Sequence, residues 1–234
     1  LALGYNRFVG TLPACLGATN AALRTLSVEH NHLSGRVPAS LFGLRRQQLL
    51  RLSHNRFEGE LPQAAFESQH APLLTLDVGS NRLTGTIPSQ LFGTLETADF
   101  SRNLFHSFAL AATAARALRE LSLADNPALQ IEEFRYPKHC APPSSSLQPW
   151  QNGNLTVLDL SRIGLQMSAL DLLICLGMFA PRLEVIEAAG NALSGDLPGF
   201  TIPLSYTRSI NFANNKLGLL SAAAFLCCSQ PLFA

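Results

Sequence analysis

Charge is scarce in this chain. Asp, Glu, Lys and Arg make up 14% of its 234 residues, and 17 basic against 16 acidic side chains leave a net charge of +1. That balance gives no electrostatic reason to expect nucleic acid or an anionic membrane as partner. Five cysteines, at 15, 140, 175, 227 and 228, show neither zinc-ligand spacing nor a Cys-x-x-Cys pair, so they read as small apolar residues and leave the redox compartment open. No nucleophile elbow, phosphate-binding loop or His-Glu-x-x-His motif occurs, so no catalytic residue, cofactor or metal is expected. The apolar tail from Ser221 to Ala234 is too short to cross a bilayer and lacks the polar outer face of a capping unit. With Leu1 already inside a strand-like pattern and no leader-like stretch ahead of it, the chain is expected to be part of a longer protein.

What is abundant is repetition. Asparagine recurs at Asn6, Asn31, Asn55, Asn81, Asn103, Asn126, Asn191 and Asn215, with Ile163 standing at one further position, in steps of 25, 24, 26, 22, 23, 37, 28 and 24 residues. A period in the twenties predicts a solenoid of about nine coils, each too small to bury its apolar side alone. Around Asn31, Leu26 and Val28 alternate with Ser27 in the period-two pattern of a short strand. Successive strands are expected to pair in parallel. The asparagine amide can both donate to and accept from neighbouring backbone, so a ladder of asparagines is expected inside the stack.

Four and seven residues after the asparagine come Gly10 and Pro13, Gly35 and Pro38, Gly59 and Pro62, Gly85 and Pro88, and Gly195 and Pro198. Glycine allows a turn without a Cβ clash and proline forces an extended residue before it, so a second small sheet is expected beside the first. Ser40-Leu-Phe-Gly and Ser89-Gln-Leu-Phe-Gly read as helical turns with serine near the cap.

The runs Asn31-His-Leu-Ser-Gly-Arg-Val-Pro, Asn81-Arg-Leu-Thr-Gly-Thr-Ile-Pro and Asn191-Ala-Leu-Ser-Gly-Asp-Leu-Pro resemble the plant-type leucine-rich repeat. That repeat is found in receptor-like proteins, receptor kinase ectodomains and polygalacturonase-inhibitor proteins, and similar units occur in surface proteins of protists and algae. The resemblance implies an α/β fold, a right-handed leucine-rich-repeat solenoid. Its parallel sheet would lie on the concave side, with short helices and extended turns on the convex side, and residues 1–234 would form one domain. It also implies an extracellular or cell-surface recognition module for a protein, peptide or glycan ligand, with any membrane anchor outside this segment. An inhibitor of a secreted glycan-degrading enzyme and a structural surface or scaffold protein are the alternatives.

Three coils depart from the pattern. Residues 107–118, after Asn103, favour helix, and Ser168-Ala-Leu-Asp171 has capping-box character ahead of the apolar run Leu172 to Phe179. An insertion at about 130–153, between coils six and seven, holds the single tryptophan and is expected to be a loop, as a spacer or a binding island. Ile163 cannot supply the ladder's amide, so backbone groups there need other partners and the coil is expected to be a weak joint. Cys175 and Cys227 each follow their anchor by twelve residues but sit two coils apart. At about 10 Å between Cα atoms they are expected to be too distant for a disulfide.

The outward column of the concave strands reads Ala2, Ser27, Arg51, Asp77, Asp99, Ser122, Asp159, Glu187 and Asn211, mostly acidic from coil four onward. Beside it runs Tyr5, His30, His54, Ser80, Arg102, Asp125, Arg162, Gly190 and Asn214, in which His30 and His54 should stack; two imidazoles without a third ligand make a poor metal site. Arg7, His32, Arg56 and Arg82 form a basic edge. The candidate ligand-binding residues are Ser27, Glu29, Arg51, Asp77, Asp99, Ser101, Arg102, Glu120, Asp159, Arg162, Glu187 and Asn211. Asn154-Leu155-Thr156 is a glycosylation sequon which, if used, places the chain in the secretory pathway.

Overall fold

The computed structural model describes residues 1–16, 22–63, 73–108, 115–131, 134, 153–197 and 204–220. Most of the 130–153 insertion, residues 109–114 of the expected helix and the tail beyond residue 220 lie outside the described residues.

Each coil begins with a three-residue strand whose middle side chain points inward. The eight strands Thr25–Ser27, Leu49–Arg51, Thr75–Asp77, Thr97–Asp99, Glu120–Ser122, Val157–Asp159, Val185–Glu187 and Ser209–Asn211 form one parallel sheet in chain order, the concave sheet. Their register is constant from coil to coil, for example Leu50↔Leu76 and Asp77↔Asp99. Coil one joins by the parallel bridge Ala2↔Ser27. In-register stacking follows from equal spacing to the next asparagine, and a one-residue slip would put Leu50 or Leu76 in water and Ser27 or Asp77 in the core.

After each strand the chain turns through a residue with positive φ just before the asparagine, or before Ile163 in coil seven: Tyr5, His30, His54, Ser80, Arg102, Asp125, Arg162 and Asn214 lie between 53° and 58°. Gly190 takes that place in coil eight, at 69°. For the non-glycine residues this conformation costs about 1–2 kcal/mol each. The asparagine ladder holds it. Asn103 donates through Nδ2 to Val78 O, Phe100 O and Ser101 O and accepts from Leu83 N–H, all at 2.9–3.2 Å. Asn31, Asn55, Asn81 and Asn126 repeat that arrangement, each tying its own coil to the one before.

The expected second sheet is present in two pieces. Six parallel strands, Val9–Thr11, His32–Gly35, Arg56–Glu60, Arg82–Ile87, Leu104–Phe108 and Gln130–Ile131, serve coils one to six, and a pair, Ser194–Leu197 with Lys216–Leu220, serves coils eight and nine. Its register is staggered, with His32 opposite Val9, Arg56 opposite Ser34 and Arg82 opposite Glu58. The basic edge is therefore interrupted by neutral and acidic neighbours rather than forming a pure column.

The helix expected from Ser107 does not start there, because Ser107 and Phe108 continue a strand paired with Thr86 and Ile87. Phe108 is buried against Phe92, 5.6 Å between ring centroids and edge-on, and that burial outweighs the local helix preference. The later helix, α1 (Ala169–Phe179), is present, with Ser168 at its N-cap accepting from Asp171 N–H. It buries Leu172, Leu173, Cys175 and Leu176. Convex turns elsewhere include short 3₁₀ helices at Ala39–Leu41 and Ser89–Gly93, preceded by Pro38 and Pro88, with no side-chain cap. The Ser40 hydroxyl donates instead to Ala14 O of the previous coil, at 2.6 Å.

Cys175 is fully buried and disulfide-bonded, so it is not the simple apolar filler expected from its spacing; its partner lies outside the described residues.

Candidate binding groove on the concave sheet

The exit ends of the concave strands in coils three to seven line an open groove of about 280 Å³. Its walls include Asp77, Asp99, Ser101, Arg102, Asp159 and Arg162, six of the residues that the sequence pattern singles out. Ser27, Glu29, Arg51, Glu120, Glu187 and Asn211 lie outside it; Ser27 instead donates its hydroxyl to Glu29 Oε2 at 2.5 Å. Ser53, His54, Ser122 and Asp125 belong to the groove but are absent from the candidate residues read from the sequence.

The acidic column has a structural job that its spacing did not reveal. In four coils one oxygen of the strand-ending side chain accepts the backbone N–H two residues on: Gly79 to Asp77 at 3.1 Å, Ser101 to Asp99 at 2.8 Å, Ser161 to Asp159 at 2.9 Å and Ala213 to Asn211 at 3.0 Å. The bond closes the strand into the left-handed turn, in the manner of an Asx turn. Asp77 also accepts from the Ser53 hydroxyl at 2.6 Å, which occupies its second oxygen. Asp99 and Asp159 each keep Oδ2 without a hydrogen bond among the described residues. Gly79 permits this arrangement, since a Cβ there would lie 3.0 Å from Asp99 Oδ2.

Burial pushes the Asp77 carboxyl above the ordinary aspartate value; the Ser53 and Gly79 bonds pull it back, and the neighbouring Asp99 charge raises it again. Two coils on, the sign reverses. The Arg162 guanidinium grips both oxygens of Asp125, with Nη2 2.8 Å from Oδ2, while Arg102 Nε lies 3.5 Å from Oδ2 on the other side. The bond from Arg162 holds the Asp125 carboxyl below its usual range. Groove charge is thus two guanidiniums already shared with Asp125 and three further carboxylates, Asp77, Asp99 and Asp159.

At the coil-three end a ring stack leads away from the groove. Tyr5 lies 4.4 Å from His30 and His30 4.0 Å from His54, with ring planes within 14° and 12° of parallel. Parallel imidazoles aim their ring nitrogens side by side, so the two histidines do not converge on one metal ion. Among the described residues no group of three or more His, Cys, Asp or Glu is placed to hold a metal.

The family pattern described as Leucine Rich Repeat matches residues 22–44 and 72–93, coils two and four. The fold is a leucine-rich-repeat solenoid. Receptor-like protein 53 of Arabidopsis thaliana is 36% identical over 64 residues, which is 27% of this chain and 6% of that protein. Among solved structures, the TDR receptor superposes with a TM-score of 0.64 at 27% identity, covering 92% of this chain and 38% of the other. The PEPR1–AtPEP1 complex gives 0.59 at 25%, covering 91% and 31%. The solenoid therefore resembles plant receptor ectodomains and spans well under half the length of each of these relatives.

Proposed function

We propose that this solenoid is a non-catalytic recognition module, and that the concave groove of coils three to seven receives a peptide or protein segment carrying lysine or arginine. The observation that carries this reading is the uneven commitment of charge in the groove. Both arginines are engaged by Asp125, whereas Asp99 and Asp159 each present an oxygen with no hydrogen bond among the described residues. A cationic donor gains a charge-assisted bond there without displacing a protein contact. The groove is open to water, so the gain is in orientation and selectivity more than in affinity. The similarity to the TDR receptor and to PEPR1, solved with AtPEP1, supports a receptor-type role at the cell surface. The Cys175 disulfide supports an oxidising compartment.

The test is enrichment of a displayed random-peptide library on the purified chain and on the triple variant D77N/D99N/D159N. Asparagine keeps an oxygen for each strand-closing N–H and removes only the charge, so the circular dichroism should be unchanged. Lysine- or arginine-containing peptides should enrich on the parent and lose at least tenfold in affinity on the variant. Equal enrichment on both proteins would remove the groove as the recognition surface.

A further inference from the structure

The Asn154 sequon sits at the joint between coils six and seven, where the asparagine ladder is interrupted by Ile163. Asn154 is exposed, and its Nδ2 donates to Arg116 O of coil six at 2.7 Å. Thr156 is half-buried and donates its hydroxyl to Arg119 O at 3.1 Å. The two polar groups that define the acceptor tripeptide are therefore both struts from coil seven to coil six. They lie at the entry end of the strand Val157–Asp159, whereas the groove is lined by residues at the strand exits.

The geometry points to Asn154 as an N-glycan acceptor that is modified before coil seven closes on coil six. The reaction requires a polyprenyl-diphosphate-linked oligosaccharide. Nδ2 forms the bond to the anomeric carbon, the anomeric carbon–oxygen bond to the diphosphate breaks, the diphosphate leaves with that electron pair, and one Nδ2 proton passes to a base of the transferase. A primary amide has two N–H bonds and the glycan replaces one hydrogen, so the product still carries an N–H able to donate to Arg116 O. In the folded chain the Thr156 hydroxyl is engaged and half-covered, which withholds the tripeptide from an enzyme that must grasp it extended. The sugar then projects from the entry flank and leaves the groove clear. This inference stands apart from the ligand proposal, because it concerns the opposite ends of the strands and needs no ligand.

Secretion of the full chain from a eukaryotic host, with intact mass measured before and after peptide N-glycosidase treatment, tests the site. The parent should lose the mass of one glycan, while N154Q and T156V should show no change. R82N writes the same Asn-Leu-Thr tripeptide on the exposed second sheet, ahead of Leu83 and Thr84, and should add a second glycan. A chain glycosylated at the position introduced by R82N but bare at Asn154 would overturn the assignment. The order of events is read by offering microsomes either the nascent chain or the purified folded chain; modification should occur at least tenfold faster on the nascent chain. Equal rates would overturn modification before closure.

Discussion

From coil two to coil six each step along the solenoid is spanned by one inward asparagine amide, buried at Asn31, Asn103 and Asn126 and half-buried at Asn55 and Asn81, which ties three carbonyls and one N–H of two coils together; between coils six and seven no such bridge exists. Asn126 is fully buried and binds Phe100 O, Leu123 O, Ala124 O and Phe105 N–H. Ile163 occupies the same place one coil later, equally buried, and contributes only apolar packing. The joint is held instead at its rim. The concave sheet runs through it, with Glu120↔Val157 to Ser122↔Asp159 paired, and Asp125 with Arg162, Asn154 with Arg116 O and Thr156 with Arg119 O close it from both sides. Gly164, at φ +78°, brings coil seven against Pro127 O, from which a Cβ would stand only 3.1 Å. Coil eight resumes the ladder, its Asn191 accepting from both Ile163 N–H and Leu165 N–H at 3.1 Å. A repeat can thus omit its buried polar bridge when side chains at the strand ends replace it, and those replacements, being partly exposed, are the weaker kind.

The sharpest way to break this contrast is N126A. Removing the amide leaves buried backbone groups of coils five and six unpaired, and at about 1–3 kcal/mol for each such group the net loss should reach about 3–4 kcal/mol, read as a lower urea midpoint. A loss below about 1 kcal/mol would mean that the ladder is decorative. At the joint, I163A should cost about 2–3 kcal/mol through the cavity it opens, whereas I163N should cost about 1 kcal/mol or less, since a restored amide offsets the lost apolar burial. If I163N proves as damaging as I163A, coil seven cannot accept the ladder.

The smallest effects separate the two aspartates. Asp125 has a depressed carboxyl, so its contribution is present above the ordinary aspartate range and is lost as pH falls through the folded value. Asp77 has a raised carboxyl, so its ionisation opposes folding, and the contribution is present at acid pH and lost as pH rises through the folded value. At pH 7, D125N should lower the unfolding midpoint and D77N should raise it slightly, and both differences should shrink toward pH 3. A D77N midpoint below the parent at pH 7 would show that the Ser53 and Gly79 bonds outweigh burial.

Much of this was legible in the sequence for a physical reason. Regular spacing of Leu26, Val28 and Asn31 states which side chains enter the core and which amide bridges the coils, so the strands, the ladder, the second sheet and helix α1 could be read directly. The groove was only half legible. The column singles out Asp77, Asp99 and Asp159, but the same residues each close the turn of their own coil, and spacing alone cannot separate that duty from ligand contact. Asp125 is absent from the candidate residues, although the alternation of Arg102, Asp125 and Arg162 on successive coils is visible in the column that contains it. The false start of a helix at Ser107 depended on neighbours remote in sequence.

The amino-acid order by itself determined the coil, its period and its inward face, because each follows from backbone geometry and burial within some two dozen residues. Only the tertiary structure decided which carboxylates keep an uncommitted oxygen, which arginines are already paired and where Phe108 goes, because those outcomes depend on side chains that meet across coils.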